Sequence, residues 1–181
     1  MEKPLWRVRS STYLIESEHL RIRSDEIELP SGVVIPNYYV RESSGFVMVF
    51  ALTPAREVVL VRQYRYGIDD VIVELPAGSI DRGEDPLLCG QRELAEETGY
   101  TASRWEHLAT IPAEPVRSNS LLHAFIAFDA KPTGAQALDP TEAIEPFTVP
   151  LEEIRPMLRA NAIGALSCVA VAYEALDRLQ M

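Results

Sequence analysis

The chain reads as an α/β protein built on a mixed β-sheet, and three observations predict this. A long series of short segments is rich in β-branched and aromatic residues or alternates apolar with polar. One sharply delimited helix interrupts the series after its sixth member, and two helical patterns close the chain.

Taken in order, Tyr13-Leu14-Ile15 and Leu20-Arg21-Ile22-Arg23 alternate and predict a strand pair with a turn between them. Pro30-Ser31-Gly32 is turn chemistry, and Val33 to Arg41 reads as a further strand with an edge or bulge at Pro36. Gly45 to Thr53 and Glu57 to Tyr66 are the clearest strands, joined by the turn-like Pro54-Ala55-Arg56. Val71 to Leu75 is a short strand. Trp105 to Ile111 and Leu121 to Asp129 are two more, and Thr148-Val149 reads as the tail of another. Leu151 to Arg159 and Ser167 to Leu179 read as helices, the first short or distorted at Pro156. The second carries Val169, Val171, Ala172, Ala175, Leu176 and Leu179 on its apolar stripe.

The central helix is argued from local chemistry. Residues Gly78 to Tyr100 read GSIDRGEDPLLCGQRELAEETGY. Asp85 suits an N-cap, Pro86 the first helical position and Gly99 the left-handed position past the end. At about 100° per residue, Glu93, Glu96 and Glu97 share one fan of the helix. Leu87, Leu88, Leu94 and Ala95 point roughly the other way, so one face is expected in the core and the other to present carboxylates. Arg92 precedes Glu96 by one helical turn and can hold it, while Glu84 reaches in from the preceding loop. Read alone, RELAEE is an ordinary solvated helix. Read as a cluster, these carboxylates repel one another unless a cation joins them.

Composition bounds the partners. A chain of 181 residues with 47% apolar and 24% charged residues can bury a core. A formal net charge of −10 argues against nucleic-acid backbones and anionic membranes. Cys89 and Cys168 form neither a metal-ligand spacing nor a disulfide framework, and are read as buried thiols of a reducing cytoplasm. The N-terminal MEKPLWRVRSS lacks an apolar stretch of leader length, and Ala162 to Ala172 is too short to span a bilayer. A cytoplasmic protein is expected.

The Gly78–Tyr100 run matches in full the pattern of a Gly, five residues, a Glu, seven residues and REUxEExGU, with U apolar. The chain therefore resembles the Nudix hydrolases, which cleave nucleoside diphosphates linked to another group. The resemblance implies their fold, a mixed β-sheet sandwiched between α-helices (α/β/α), here with an N-terminal strand extension. It implies Mg²⁺, with Mn²⁺ possible, held by Glu93, Glu96 and Glu97, with Glu84 and the main-chain carbonyl of Ala77 as further candidates. Arg92 and Glu96 join the expected catalytic residues.

The flanks narrow the resemblance. VRQYR (Val61 to Arg65) and VELPAGSID (Val73 to Asp81) look like the ADP-ribose pyrophosphatase branch. That likeness implies Arg65 on the diphosphate and Glu74 on the distal sugar, where the plain readings are an exposed strand arginine and a strand-end glutamate. Pro115 lies where the branch has a loop proline, but the loop then reads Val116-Arg117-Ser118-Asn119-Ser120 and lacks the branch's Gly and Glu. Arg117 is a phosphate or sugar contact, or else a solvated loop arginine. In Asp139 to Glu145, the likeness makes Glu142 the general base on a mobile loop, with Glu145 supporting it. Tyr38 and Tyr39 are base-stacking candidates, with Trp6 another, unless they belong to the core.

The expected organisation is a single structural unit, with residues 1–44 as N-terminal strands for dimerisation and base binding and residues 45–181 as the Nudix domain. A homodimer follows by analogy. The expected reaction turns ADP-ribose into AMP and ribose 5-phosphate. GDP-mannose or ADP-glucose are rival substrates, and an ADP-ribose sensor without turnover is a rival class that the intact motif opposes.

Overall fold

The structure, a computed structural model, describes residues 5–17 and 20–181. Part of the expected first turn, Glu18 and His19, and the first four residues of the segment read for a leader lie outside the described residues. Backbone proximity divides the chain into two units. One comprises the described residues through Gly45 together with Pro112–Leu121, and the other comprises Phe46–Ile111 with Leu122–Met181.

The first unit is an antiparallel sheet of β1 (Arg7–Glu16), β2 (Arg21–Glu28) and β3 (Val34–Glu42), in that order. β1 starts six residues before the expected Tyr13, because the polar run Arg7–Thr12 has no apolar alternation to announce it and forms by pairing with β2. The β2–β3 register slips between Asp25↔Tyr38 and Ile27↔Ile35, so Pro36 and Asn37 stand opposite Glu26 alone. This is the bulge expected at a proline, which has no N–H to give the ladder. Asp25 is buried and satisfied: Ser11 Oγ donates to it at 2.6 Å and Arg23 Nε at 2.9 Å. Every residue of the edge strand β1 is exposed. Pro112–Leu121 runs beside β3, with Arg41 N–H donating to the Arg117 carbonyl (2.8 Å) and Ser43 N–H to Asn119 Oδ1 (2.9 Å).

The second unit centres on β4 (Phe46–Leu52) and β5 (Glu57–Arg65), followed by β6 (Asp70–Glu74), β7 (Ala77–Ser79) and α1 (Pro86–Thr98). Then come β8 (Tyr100–Thr101), β9 (Arg104–Pro112), β10 (Leu121–Phe128), β11 (Lys131–Pro132) and β12 (Ile144–Pro150). The helices α2 (Leu151–Arg159) and α3 (Leu166–Arg178) close the chain. The main sheet has the order β12-β5-β4-β10-β9, with β6 paired to β5 and β7 to β4. β10 runs parallel to β4, from Leu122↔Phe46 to Phe128↔Leu52, whereas β12, β6 and β7 pair antiparallel, so the sheet is mixed as expected.

Period-two alternation on β4 explains the layers. Met48, Phe50 and Leu52 join Ile154, Leu158, Val171 and Leu176 of α2 and α3 in one core cluster. Val49 and Ala51 point the other way, to Leu94 of α1, and Val47 packs with Cys89 of the same helix. A strand covered on both faces must read as a continuous apolar run, and FVMVFAL does. Each large side chain buried here is worth about 1.5–3 kcal/mol relative to exposure. The α/β/α sandwich is therefore the fold. α2 is short, as Pro156 led us to expect, and still closes on the core through Leu151, Ile154 and Leu158.

Both ends of α1 follow the local chemistry. Asp85 accepts from the N–H groups of Leu87 (2.9 Å) and Leu88 (3.3 Å), a cap worth about 1 kcal/mol. Gly99 adopts φ 71°, and its N–H closes on the Ala95 carbonyl at 2.8 Å. The expected division of faces needs correction. The buried residues are Cys89, Gly90, Leu94, Glu97 and Thr98, whereas Leu88 is exposed. Glu97 therefore lies on the buried side. β7, too short to show a period, packs beside α1 and gives the helix a polar neighbour there.

Candidate active site

Acidic residues collect along one side of α1, and a single arginine organises most of them. Arg92 donates two parallel bonds to Glu84, Nε to Oε1 at 2.9 Å and Nη2 to Oε2 at 3.0 Å. Its Nη1 reaches Glu93 at 2.7 Å and Glu96 at 3.0 Å, and Nη2 also meets the Ser79 carbonyl at 3.3 Å. The expected pairing of Arg92 with Glu96 is present, as part of a larger fork. The planar guanidinium presents its donors at fixed angles, which is why one arginine can serve three carboxylates. Arg92 draws the Glu84 carboxyl down to about 2, helped by the Asp81 N–H that Glu84 also accepts. The same carboxylates make Arg92 harder to deprotonate than a free arginine.

Glu93 and Glu97 behave differently. Burial raises Glu93 above the usual carboxylate range, against the pull of Arg92. Burial pushes Glu97 up to about 8, offset in part by the Ala77 N–H that donates to its Oε2 at 3.0 Å. The charges of Glu93 and Glu142 push Glu97 further up, and that of Arg65 pulls it back. These influences bring Glu93, Glu97, Glu142 and Arg65 into one electrostatic neighbourhood. β7 supplies the space: a Cβ at Gly78 would overlap the Glu93 carboxylate, so only glycine leaves room for it.

Arg65, at the end of β5, stands opposite Asp70, and Glu74, at the end of β6, stands opposite Val61, so the arginine side chain reaches back along the β5–β6 hairpin to meet the glutamate. Arg65 Nε and Nη2 both bond Glu74 Oε2, at 2.8 and 2.7 Å. Glu74 is buried and Arg65 half exposed.

The loop between β11 and β12 carries Glu142. It returns to the C-terminal end of α1, whose last carbonyls have no partner within the helix. Thr133 N–H donates to the Gly99 carbonyl (2.9 Å) and Ala137 N–H to that of Glu96 (2.9 Å). The Gln136 side-chain amide donates to the carbonyls of Glu97 (2.5 Å) and Ile144 (3.0 Å). Glu142 closes a small turn on itself: its N–H donates to the Asp139 carbonyl at 2.9 Å, and its Oε2 accepts from Asp139 N–H at 3.0 Å. Glu145 points instead to Arg62, at 3.3 Å. Sequence reading passed over Gln136, which no motif marks.

Tyr38, Tyr39 and Arg117 belong to the first unit. With Asn37 and Val116 they line a pocket of about 250 Å³. The Tyr38 hydroxyl donates to the Val116 carbonyl, and its ring meets Trp6 edge to face at 5.9 Å. Both cysteines are free and buried, as read from the sequence.

Among the described residues no three His, Cys, Asp or Glu side chains are grouped as a metal cage, and Arg92 engages Glu84, Glu93 and Glu96. The donor set nevertheless suits a hard divalent cation. It is all oxygen, it is acidic, and it includes the buried Glu97, whose ionisation such a cation would favour. No helix among the described residues is long and apolar enough to cross a membrane.

The NUDIX domain family model matches residues 44–167, and the nucleoside diphosphate sugar hydrolase N-terminal domain model matches residues 6–40. A methanol dehydrogenase activator of Bacillus methanolicus is 33% identical over 87% of this chain and 86% of its own. An ADP-ribose pyrophosphatase of Bacillus subtilis (strain 168) is 30% identical over 82% of this chain and 81% of its own. The crystal structure of an ADP compounds hydrolase superimposes with a TM-score of 0.86 at 21% identity, covering 99% of this chain and 96% of that one, a likeness of fold.

Proposed function

This chain belongs to the Nudix hydrolase family, and from that premise we propose that it hydrolyses the diphosphate bond of a nucleoside diphosphate sugar, with ADP-ribose the leading substrate and AMP and ribose 5-phosphate its products. One observation carries this reading: Arg92 gathers Glu84, Glu93 and Glu96 beside the buried Glu97, and the loop that bears Glu142 is tied to the Glu97 carbonyl through Gln136. Acids for a cation and an acid on a loop thus share one place. The likeness to an ADP-ribose pyrophosphatase supports the choice of substrate.

Glu93, Glu96 and Glu97, with Glu84 and the Ala77 carbonyl, would hold Mg²⁺ or Mn²⁺, which when bound neutralises diphosphate charge and acidifies a water. Arg65 turns from Glu74 to the diphosphate, since its guanidinium is half exposed and matches phosphate geometry. Glu74, freed in part, accepts from a sugar hydroxyl. Arg92 keeps the carboxylates of α1 aimed. Glu142 leaves its turn with Asp139 and takes the proton of the attacking water. The water oxygen bonds to phosphorus as the anhydride P–O bond breaks.

The first unit, on this reading, binds the base and joins two copies. Its pocket at Tyr38, Tyr39 and Arg117 offers stacking faces and a cation, and the wholly exposed edge strand β1 offers a surface for a homodimer. Two free buried thiols support a cytoplasmic setting. The test is a panel of ADP-ribose, ADP-glucose and GDP-mannose with Mg²⁺ or Mn²⁺, products resolved by mass, with ¹⁸O-water marking the phosphorus attacked. ADP-ribose turned over fastest, and only with the cation, is the expected result. No turnover of any member sinks the reading. Light scattering tests the dimer.

A further inference from the structure

We propose that Gln136 is a positioning residue that sets the Glu142 loop against the acidic end of α1. The inference rests on the reading of Glu142 as general base.

The loop from Thr133 to Ala143 has little apolar burial to fix it: most of its residues are exposed, and only Gln136, Leu138 and Glu142 are half-buried. Hydrogen bonds hold it instead, and Gln136 makes the two that matter for Glu142. Its one amide donates at 2.5 Å to the main-chain carbonyl of Glu97, the residue whose carboxylate is the deepest acid of the site. It donates at 3.0 Å to the carbonyl of Ile144, two residues past Glu142 and the first residue of β12. The amide thus spans α1 and the far root of the loop. Ala137 N–H, donating to the Glu96 carbonyl at 2.9 Å, secures the near root. Between these roots lies the small turn Asp139–Glu142, closed by two hydrogen bonds of its own. The roots are pinned to the helix and the turn between them is free to reopen, so the carboxylate of Glu142 has a fixed origin for a short excursion. A glutamine is suited to this task because its amide has two N–H donors and both meet carbonyls here. An ionised glutamate of the same length has none.

A purely structural role, satisfying a helix-end carbonyl, would make the same two bonds. Coupling to Glu142 separates the two. Gln136→Met keeps the length and removes the donors. With ADP-ribose, or the panel member turned over fastest, Gln136→Met is expected to lower kcat by about tenfold or more with KM changed less than about threefold. In the Glu142→Gln background it is expected to cost less than about twofold, because there is no base left to position. In the metal-free protein, amide hydrogen exchange across residues 137–143 is expected to quicken by about tenfold or more, while β4 and β5 stay protected. If Gln136→Met fails to fold, Gln136→Asn, one methylene too short to reach both carbonyls, takes its place with the same expectations. Unchanged exchange across residues 137–143 overturns the inference whatever the activity. A slow Glu142→Gln enzyme that the Gln136 change slows by its full factor again leaves the base standing and overturns the role of Gln136. A Glu142→Gln enzyme slowed less than about tenfold removes the base, and the inference with it.

Discussion

The backbone of Gly78 stands directly against the carboxylate of Glu93, closely enough that a methyl group in place of the glycine hydrogen would occupy the space of Glu93 Cδ and both its oxygens. β7 is fixed there by its ladder to β4, with Val47 opposite Gly78, so the strand cannot retreat without breaking the sheet edge. Gly78→Ala should therefore move the side chain of Glu93 and spare the fold. The expected result is a native circular dichroism spectrum with divalent-cation affinity weakened by roughly 10- to 100-fold in calorimetry, and turnover lowered with it. Unchanged cation affinity would show that Glu93 is not a ligand.

Glu97 is expected to give the metal-free protein a stability that falls with rising pH. Its carboxyl in the folded chain sits at about 8, above the ordinary 4.5 of a free glutamate. The folded state therefore holds a proton that the unfolded state releases, and stability falls with rising pH in that window. The contribution is fully present below about pH 4.5 and is lost as pH climbs through about 8. Each pKa unit corresponds to about 1.4 kcal/mol, so in EDTA the melting temperature should drop by several degrees between pH 5 and 9. Glu97→Gln, a neutral mimic that can still accept from Ala77 N–H, should flatten that slope. Parallel slopes for the two proteins would contradict the assignment.

The parts of this molecule that sequence reveals are those decided within a few residues. Asp85, Pro86 and Gly99 mark α1 because capping is local chemistry, and FVMVFAL marks a two-faced strand because both faces of β4 are covered. The spacing of Gly78 from Glu93 was legible as a pattern, but its reason, room for a carboxylate, exists only once β7 lies beside α1. The burial of Glu97 escaped helical periodicity because its carboxylate meets the Ala77 N–H of β7, 20 residues back along the chain. Gln136 and the two-residue pair β8–β11 left no local signal at all, since their partners are distant main-chain groups.

Arg92 should resist conservative replacement. A lysine carries one ammonium and cannot hold both oxygens of Glu84 while reaching Glu93 and Glu96. Arg92→Lys is expected to lower kcat by on the order of 10- to 100-fold, with cation affinity reduced and the melting temperature changed by only a few degrees. Turnover within about twofold of the parent would mean that charge alone, and not the planar fork, organises the acids.

The Arg65–Glu74 pair allows stability and substrate binding to be separated. Nε and Nη2 of Arg65 bond one oxygen of Glu74, and Glu74 is buried while Arg65 is half exposed. Arg65→Ala strands a buried carboxylate, which should cost about 2 kcal/mol, below the value for a fully buried pair because water reaches one side. It also removes the cation assigned to the diphosphate, so KM should rise by roughly tenfold or more. Adding Glu74→Gln relieves the stranded charge. The double variant should regain most of the lost stability in urea titrations and none of the lost KM. If KM recovers together with stability, Arg65 acts only as the structural partner of Glu74 and the diphosphate is held elsewhere.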